Sequence, residues 1–199
     1  MTVKEAMVMS EVGSILSPRV IDQACIFSCG PYRVPNLRVE GWAVFTNNAN
    51  GSAFRGFGIN QAAVAIESLL DECALKLELD PFEIRLKNAL KVGDQTISGE
   101  ILKTSVATEA TLKAASEALQ NELPFINLLR SQGKKIGIGV ASGFKNVGAG
   151  KGKVDDAGAI FSLQPNGRIL IRASAVDMGQ GIRTTLLQIA AEVLSIRRS

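Results

Sequence analysis

The chain contains no histidine, only three cysteines, and few aromatics: one tryptophan, one tyrosine and eight phenylalanines in 199 residues. Each scarcity removes a class of chemistry. Without histidine there is no Ser-His-Asp or Cys-His relay, and most zinc sites lose their commonest ligand. Three cysteines are an odd count, which argues against a disulfide framework. Cys25 and Cys29 could form half of a metal site, but no second pair exists, so the expectation is buried structural cysteine. The net charge is only +3 with scattered basic residues, so nucleic-acid binding is not expected. No run approaches the ~18 apolar residues of a membrane helix. The start Met1-Thr-Val-Lys-Glu lacks a signal-peptide layout, so the default location is cytoplasmic and no membrane partner is expected.

What is present is an ordinary globular composition, 46% hydrophobic and 21% charged. The stretch Ser52-Ala-Phe-Arg-Gly-Phe-Gly58 stands out, because two phenylalanines in a glycine-bounded loop must either pack or line a pocket. Between them Arg55 offers a fixed cation with a planar fork of donors. The loop follows a polar run, Thr46 to Gly51, and feeds a periodic apolar segment in which Ala62, Ala65, Ile66, Leu69, Leu70, Cys73, Ala74 and Leu77 recur at helical spacing. Asn60 is the expected N-cap. Free amides at such a helix start favour anions or carbonyls.

Residues 1 to 36 read as extended or irregular, with breakers at Gly30-Pro31 and Pro35-Asn36. Leu37 to Thr46 alternates as a strand buried on one face, and Trp42 and Tyr32 are expected in packing. Asp80-Pro81-Phe82-Glu83 is a helix start, with Asp80 as cap and Glu83 as its reciprocal partner. That helix is expected to run to about Lys91, with Gly93 as its stop. A further helix is expected over about Thr104 to Asn121, its alanine face closely packed, with another turn or two from Pro124. From Ile136 the pattern turns to β, with a first strand through Ser142. Two more strands, Ala157 to Leu163 and Arg168 to Ser174, flank Pro165-Asn166-Gly167, a hairpin signal. A helix over about Ile182 to Leu194 follows, with Leu186, Ile189, Ala190 and Val193 inward. The order predicts an α+β fold, mixed sheets with helices.

The turn before that last helix, Val176-Asp-Met-Gly-Gln-Gly181, has the same design as the arginine loop: glycines that let a ligand approach the backbone, then a helix start. Gln180 adds both a donor and an acceptor. The basic loop Val147 to Lys153 lacks a Gly-Lys-Ser/Thr ending and precedes a strand, so it is set aside as a nucleotide motif. Lys145, Lys151 and Lys153 are expected to be solvated, and Asp155 and Asp156 to be solvent-facing charges.

Taken together, Tyr32-Arg-Val-Pro-Asn36, Thr46-Asn47, Ala53-Phe-Arg-Gly-Phe-Gly58 with Gln61 and Glu67, Asp80-Pro81 with Glu83, Arg85 and Asn88, and Met178-Gly-Gln-Gly181 with Thr184 and Gln188 resemble the large subunit of the molybdenum hydroxylases, the xanthine dehydrogenase and aldehyde oxidase family. The resemblance covers roughly Tyr32 to Ile196. It implies a molybdenum atom held by a pyranopterin (molybdopterin) with no protein ligand, and hydroxylation of N-heterocycles or aldehydes with water-derived oxygen. Electrons would leave through [2Fe–2S] clusters and FAD on partner domains or subunits. It also implies cofactor-contacting roles for Arg55, Gly56, Met178, Gly179, Gln180 and Gly181, and a substrate-stacking role for Phe57.

The departures carry expectations too. The family's catalytic glutamate would lie beyond residue 199, so no catalytic residue is expected in this chain. The chain is expected to be a slice, or one half of a split subunit: residues 1–133 would be the middle of the first molybdopterin-binding half, and 134–199 the start of the second. Its partners would be the rest of the molybdenum subunit and the iron–sulfur and FAD subunits. Gln23 stands where xanthine-oxidising members carry a substrate-orienting arginine. Gly56 stands where carbon monoxide dehydrogenases carry a cysteine. Phe57 and Gln61 lean towards N-heterocycles over simple aldehydes. The alternative is a non-catalytic fragment or scaffold in which Phe54 and Phe57 are only core.

Overall fold

A computed structural model describes residues 6–11, 17–47, 54–146, 154 and 156–196. The chain divides into two units, Met1–Lys145 and Asn146–Ser199. In the first, strand β1 (Ala6–Glu11) pairs in parallel with β2 (Val39–Val44) in the register Ala6 to Val39 through Glu11 to Val44. Helix α1 (Ser17–Ile26) connects them, followed by α2 (Ile59–Lys76), α3 (Pro81–Asn88) and α4 (Thr108–Ser131). The second unit is an antiparallel hairpin of β3 (Ala159–Leu163) and β4 (Ile169–Ala173), then α5 (Ile182–Val193). The α+β architecture is thus established, with two small two-stranded sheets, one parallel and one antiparallel, in place of mixed sheets.

The core of the first unit is Tyr32, Ile66, Leu70, Ala74 and Ile84, with Cys73 and Leu79 packed against it. Ile66, Leu70 and Ala74 form an i, i+4, i+8 stripe on α2, the pattern its periodicity demands. A fully buried arginine sits beside this core. Arg85 donates from Nε to Glu67 Oε2 at 2.7 Å, from Nη2 to Asp71 Oδ1 at 2.8 Å, and from Nη1 to the Pro81 carbonyl at 2.9 Å. Tyr32 donates its hydroxyl to the other Glu67 oxygen at 2.6 Å. Burial, then this hydrogen bond, push the Tyr32 phenol well above its ordinary pKa. One knot therefore ties α2, α3 and the segment after α1.

Local signals set most of the boundaries. Asp80 caps α3 as expected, its Oδ1 accepting from Phe82 N and Glu83 N at 2.7 and 3.2 Å. Gly167, at φ 80°, closes the hairpin by donating to the Gln164 carbonyl at 2.9 Å.

Several expectations are corrected. The first 36 residues hold β1 and α1. The buried face of α1 is Val20, Ile21 and Ala24, with Phe27 just beyond its end, a stripe too short to stand out from the breakers around it. Among the described residues β2 pairs with β1 alone and is half-buried only at Val39 and Glu40, and Trp42 is 44% exposed rather than packed. α3 ends at Asn88, where Ala89 bridges to Tyr32, and Glu83 pairs with Lys87 at 2.7 Å instead of reaching back to the cap. α4 starts four residues later than expected and continues through Pro124. Its alanines are largely exposed and Leu112 is its buried residue. Residues 136–142 have no strand partner among the described residues and form no strand. On α5 the buried pair is Ala190 and Ala191, while Ile189 and Val193 are exposed. Cys29 is buried, whereas Cys25 and Cys73 are only partly so.

Arg85→Met is expected to cost roughly 3–5 kcal/mol, because it leaves Glu67 buried and charged. Adding Glu67→Gln should recover part of that loss. Urea unfolding of the chain measures both, and a loss under about 1 kcal/mol would remove the knot from its central place. Burial also raises the Cys29 thiol from 9.0 to about 11. Between those values the unfolded chain gives up a proton that the folded chain keeps. That contribution is whole below pH 9.0 and lost as pH rises through about 11. The unfolding free energy should therefore fall more steeply over this window in the parent chain than in Cys29→Ala, by up to roughly 2–3 kcal/mol.

Candidate functional site

The arginine loop is described from Phe54 onward; Ser52 and Ala53, with residues 48–51, lie outside the described residues. Phe54 to Phe57 forms a tight turn, with Phe57 N donating to the Phe54 carbonyl at 2.8 Å. Gly56, at φ 87°, takes the third position, where a type II turn requires positive φ. Asn60 is not the helix cap. It lies in the first turn of α2 and donates from Nδ2 to the Arg55 carbonyl at 2.9 Å, fixing the turn from below. Gly58 is the cap residue, and the Gln61 side-chain oxygen accepts from its N–H at 3.1 Å.

Gly58 also sets how closely the loop approaches α1. A Cβ there would lie 2.3 Å from the Val20 carbonyl oxygen and 2.5 Å from Ala24 N, both backbone atoms, at φ 86°. Only glycine fits so close a backbone approach. With the turn pressed down at this point, Arg55 is exposed, Phe54 is 75% exposed, and Phe57 is half-buried.

Phe57 does not stand alone. The ammonium of Lys145 lies 5.5 Å from its ring centroid and 5.1 Å from that of Phe27. It donates to Gln23 Oε1 at 2.7 Å. Phe144 meets Phe27 edge-on, centroids 5.1 Å apart at 78°. Lys145 is exposed, as expected, but it is held over these rings rather than standing as a bare loop charge. Its partners come from α1 and from the loop, and partial burial holds its pKa below the ordinary lysine value. Lys151 and Lys153 lie outside the described residues, as does Asp155; Asp156 is exposed.

The second turn belongs to the other unit. Gly179 and Gly181 both have positive φ, 98° and 73°, and a Cβ on Gly181 would meet nothing within 4 Å, so a flat group has room to approach this backbone. Its polar groups are largely turned inward. Gln180 accepts from Met178 N at 2.6 Å and donates to the Val176 carbonyl at 2.8 Å. Asp177 accepts from Gly179 N at 2.8 Å. Hydrogen bonds from the Gly179, Arg183 and Gly181 amides, led by Gly179, hold the Asp177 carboxyl below its usual pKa. The expectation of open amides at this helix start is corrected: a carboxylate of the chain already faces them. Met178 is exposed.

Among the described residues no group of three or more His, Cys, Asp or Glu is placed to hold a metal, and no helix is long and apolar enough to cross a membrane. An oxygen-rich, anionic organic cofactor suits the arginine turn, where an exposed guanidinium stands beside a positive-φ glycine. It suits the glycines of the second turn as well, once the Gln180 amide rotates away from its own backbone. Sequence reasoning placed Gln23 at a substrate-orienting position but missed Lys145 as its partner and as a neighbour of Phe57. Gln23 and Lys145 are 122 positions apart, and spacing carries no signal for such a contact.

Comparison with known proteins bears on both units. Two family models, each described as a molybdopterin cofactor-binding domain, match residues 1–89 and 113–199. A probable xanthine dehydrogenase subunit of Bacillus subtilis is 36% identical over 185 residues, 90% of this chain and 24% of its own length. The nicotinate dehydrogenase large molybdopterin subunit of Eubacterium barkeri is 44% identical over 100 residues, 50% of this chain and 24% of that protein. Among solved structures, the aldehyde oxidoreductase of Desulfovibrio gigas matches with a TM-score of 0.76 at 28% identity, covering 96% of this chain and 21% of that one. Quinoline 2-oxidoreductase of Pseudomonas putida 86 matches at 0.74 and 28%, covering 96% and 26%. The chain spans about a quarter of the length of these two curated relatives.

Gly58→Ala is expected to destabilise by more than about 2 kcal/mol, since it combines left-handed backbone strain with a clash against fixed backbone. Thermal unfolding reads this directly. A variant as stable as the parent would show that the loop does not approach α1 this closely.

Proposed function

The chain belongs to the molybdenum-binding large-subunit family of the xanthine dehydrogenases and aldehyde oxidases, and from that premise we propose that it supplies part of the cofactor cage of a molybdopterin-dependent hydroxylase. Residues 1–133 would belong to the middle of the first molybdopterin-binding half and residues 134–199 to the start of the second. Two separate family matches, and the division of the chain between Lys145 and Asn146, support a two-part organisation.

The observation that carries the reading is the Phe54–Gly58 turn. It presents an arginine and a half-buried ring on a backbone fixed by Asn60, Gln61 and the close contact with α1. Arg55 and the Gly56 backbone would hold the anionic edge of the cofactor on this side. Met178, Gly179, Gln180 and Gly181 would hold it from the second turn. Bound there, the molybdenum group supplies hydroxylation of an electron-poor carbon with oxygen from water. The chain's own part is to bind and orient. A guanidinium placed before the reaction stabilises developing negative charge without reorganising, and the Phe57 ring offers a face for a flat heterocycle to stack on.

Partners would be the rest of the molybdenum subunit and the iron–sulfur and FAD subunits, with an N-heterocycle or an aldehyde as substrate. The inward-turned Gln180 and Asp177 favour a second reading for the chain by itself: that it folds without retaining cofactor.

Co-expression with the neighbouring subunits tests the proposal. The purified complex should contain molybdenum and pterin, and an active complex free of molybdenum would refute it. Within that complex Arg55→Ala is expected to lower turnover about 100-fold or more while leaving the melting temperature unchanged, since the side chain is exposed. Equal loss of turnover and of stability would instead assign Arg55 to the scaffold.

A further inference from the structure

The Lys145 bracket places a positive charge behind the Phe57 ring. Gln23 holds the ammonium from α1 by a 2.7 Å hydrogen bond, and Phe27, itself buried, supports it from below. Phe144, the residue before Lys145, packs edge-on against Phe27 and so fixes the backbone from which the lysine projects. Phe57 flanks the same ammonium, with Nζ over its ring 5.5 Å from the centroid. A cation within about 6 Å of a ring centroid is drawn to the negative face of the ring.

Two consequences follow for anything that stacks on Phe57. One face of the ring is taken by the ammonium, so a flat ligand must use the other. The cation also draws π density towards itself, which makes the opposite face less repulsive to an electron-rich or negatively charged ring. Arg55, two residues earlier, puts a second permanent cation on the same turn.

We propose that Lys145 is a specificity-determining residue: through Phe57 it selects flat rings bearing a negative charge, such as a ring carboxylate or ring oxyanion, over neutral rings of the same shape. A ligand stacked on the far face lies about 9 Å from Nζ. Lys145 is exposed, and at that separation, between the near-surface and bulk-water limits, the charge supports a preference of about fivefold. The proposal rests on Phe57 being the ring on which substrate stacks.

Nicotinate and nicotinamide, nearly equal in shape and different in charge, are the probes. Equilibrium binding of each to the assembled complex, by calorimetry, does not depend on turnover or on the state of the molybdenum. The parent should prefer nicotinate. Lys145→Met should weaken nicotinate binding about fivefold and change nicotinamide binding less than twofold, while Lys145→Arg keeps most of the preference. An equal loss for both probes, or an unchanged ratio, overturns the proposal. Phe57→Leu separates the two levels: it should weaken both probes. If it weakens neither, the stacking role of Phe57 fails and this inference fails with it. If it weakens both while Lys145→Met leaves the ratio unchanged, only the role of Lys145 fails.

Discussion

The buried Arg85 is the constraint on which the first unit depends. A guanidinium removed from water must find hydrogen-bonding partners at fixed angles, and Arg85 finds them in Glu67, Asp71 and the Pro81 carbonyl. Such a cluster adds little net stability compared with an apolar core of equal volume. What it contributes is uniqueness, because α2, α3 and the Tyr32 segment satisfy these donors and acceptors in one arrangement. Leu70 and Ile84 supply the apolar burial, and the knot sets where they meet.

That placement reaches the functional loop by rigid paths. Glu67 lies eight residues into α2, about 12 Å along the axis from Ile59. Fixing Glu67 therefore fixes the direction of the helix that begins at the arginine turn. Tyr32, on the same carboxylate, follows closely on α1, which carries Gln23 and the backbone against which Gly58 presses. Both sides of the loop are anchored to one ion pair. The loop can then hold an exposed arginine and a half-buried ring without a core of its own.

The two glycine turns achieve their shapes by opposite electrostatic means. Around Phe54–Gly58 the fixed side-chain charges are cations: Arg55 on the turn and Lys145 behind it. At the second turn a carboxylate, Asp177, faces the first amides of α5. A polyanionic ligand is welcomed by the first arrangement. At the second it must either compete with Asp177 for those amides or use the glycine backbone and the Gln180 amide. The arginine turn thus keeps its side-chain cation outward, whereas the second turn spends the Gln180 amide and the Asp177 carboxylate on its own backbone.

Where local chemistry decides the outcome, the sequence was legible. The α2 stripe, the Asp80-Pro81 start, the Pro165-Asn166-Gly167 hairpin and the α5 start all follow from spacing and backbone preference over a few residues. What was hidden depends on residues distant in the chain. Arg85 enters the sequence reading only through the resemblance, and its burial shows only once Glu67 and Tyr32 fold onto it; Lys145 reads as part of a basic loop until α1 and the segment after it supply Gln23 and Phe27. The errors in burial have a related cause. Hydrophobic alternation in β2 and from Ile136, the alanine face of α4, and the inward set expected on α5 all specify surfaces made to be covered. Among the described residues they are covered only in part: Ala190 is buried, whereas Trp42, Phe125 and Val193 are exposed. Exposed apolar surface on this scale marks contact surface rather than solvent surface. It agrees with a chain that matches its relatives across only about a quarter of their length. Periodicity therefore reports which faces are apolar, and burial follows only where another part of the chain packs on them, as at Ala190 and Ala191.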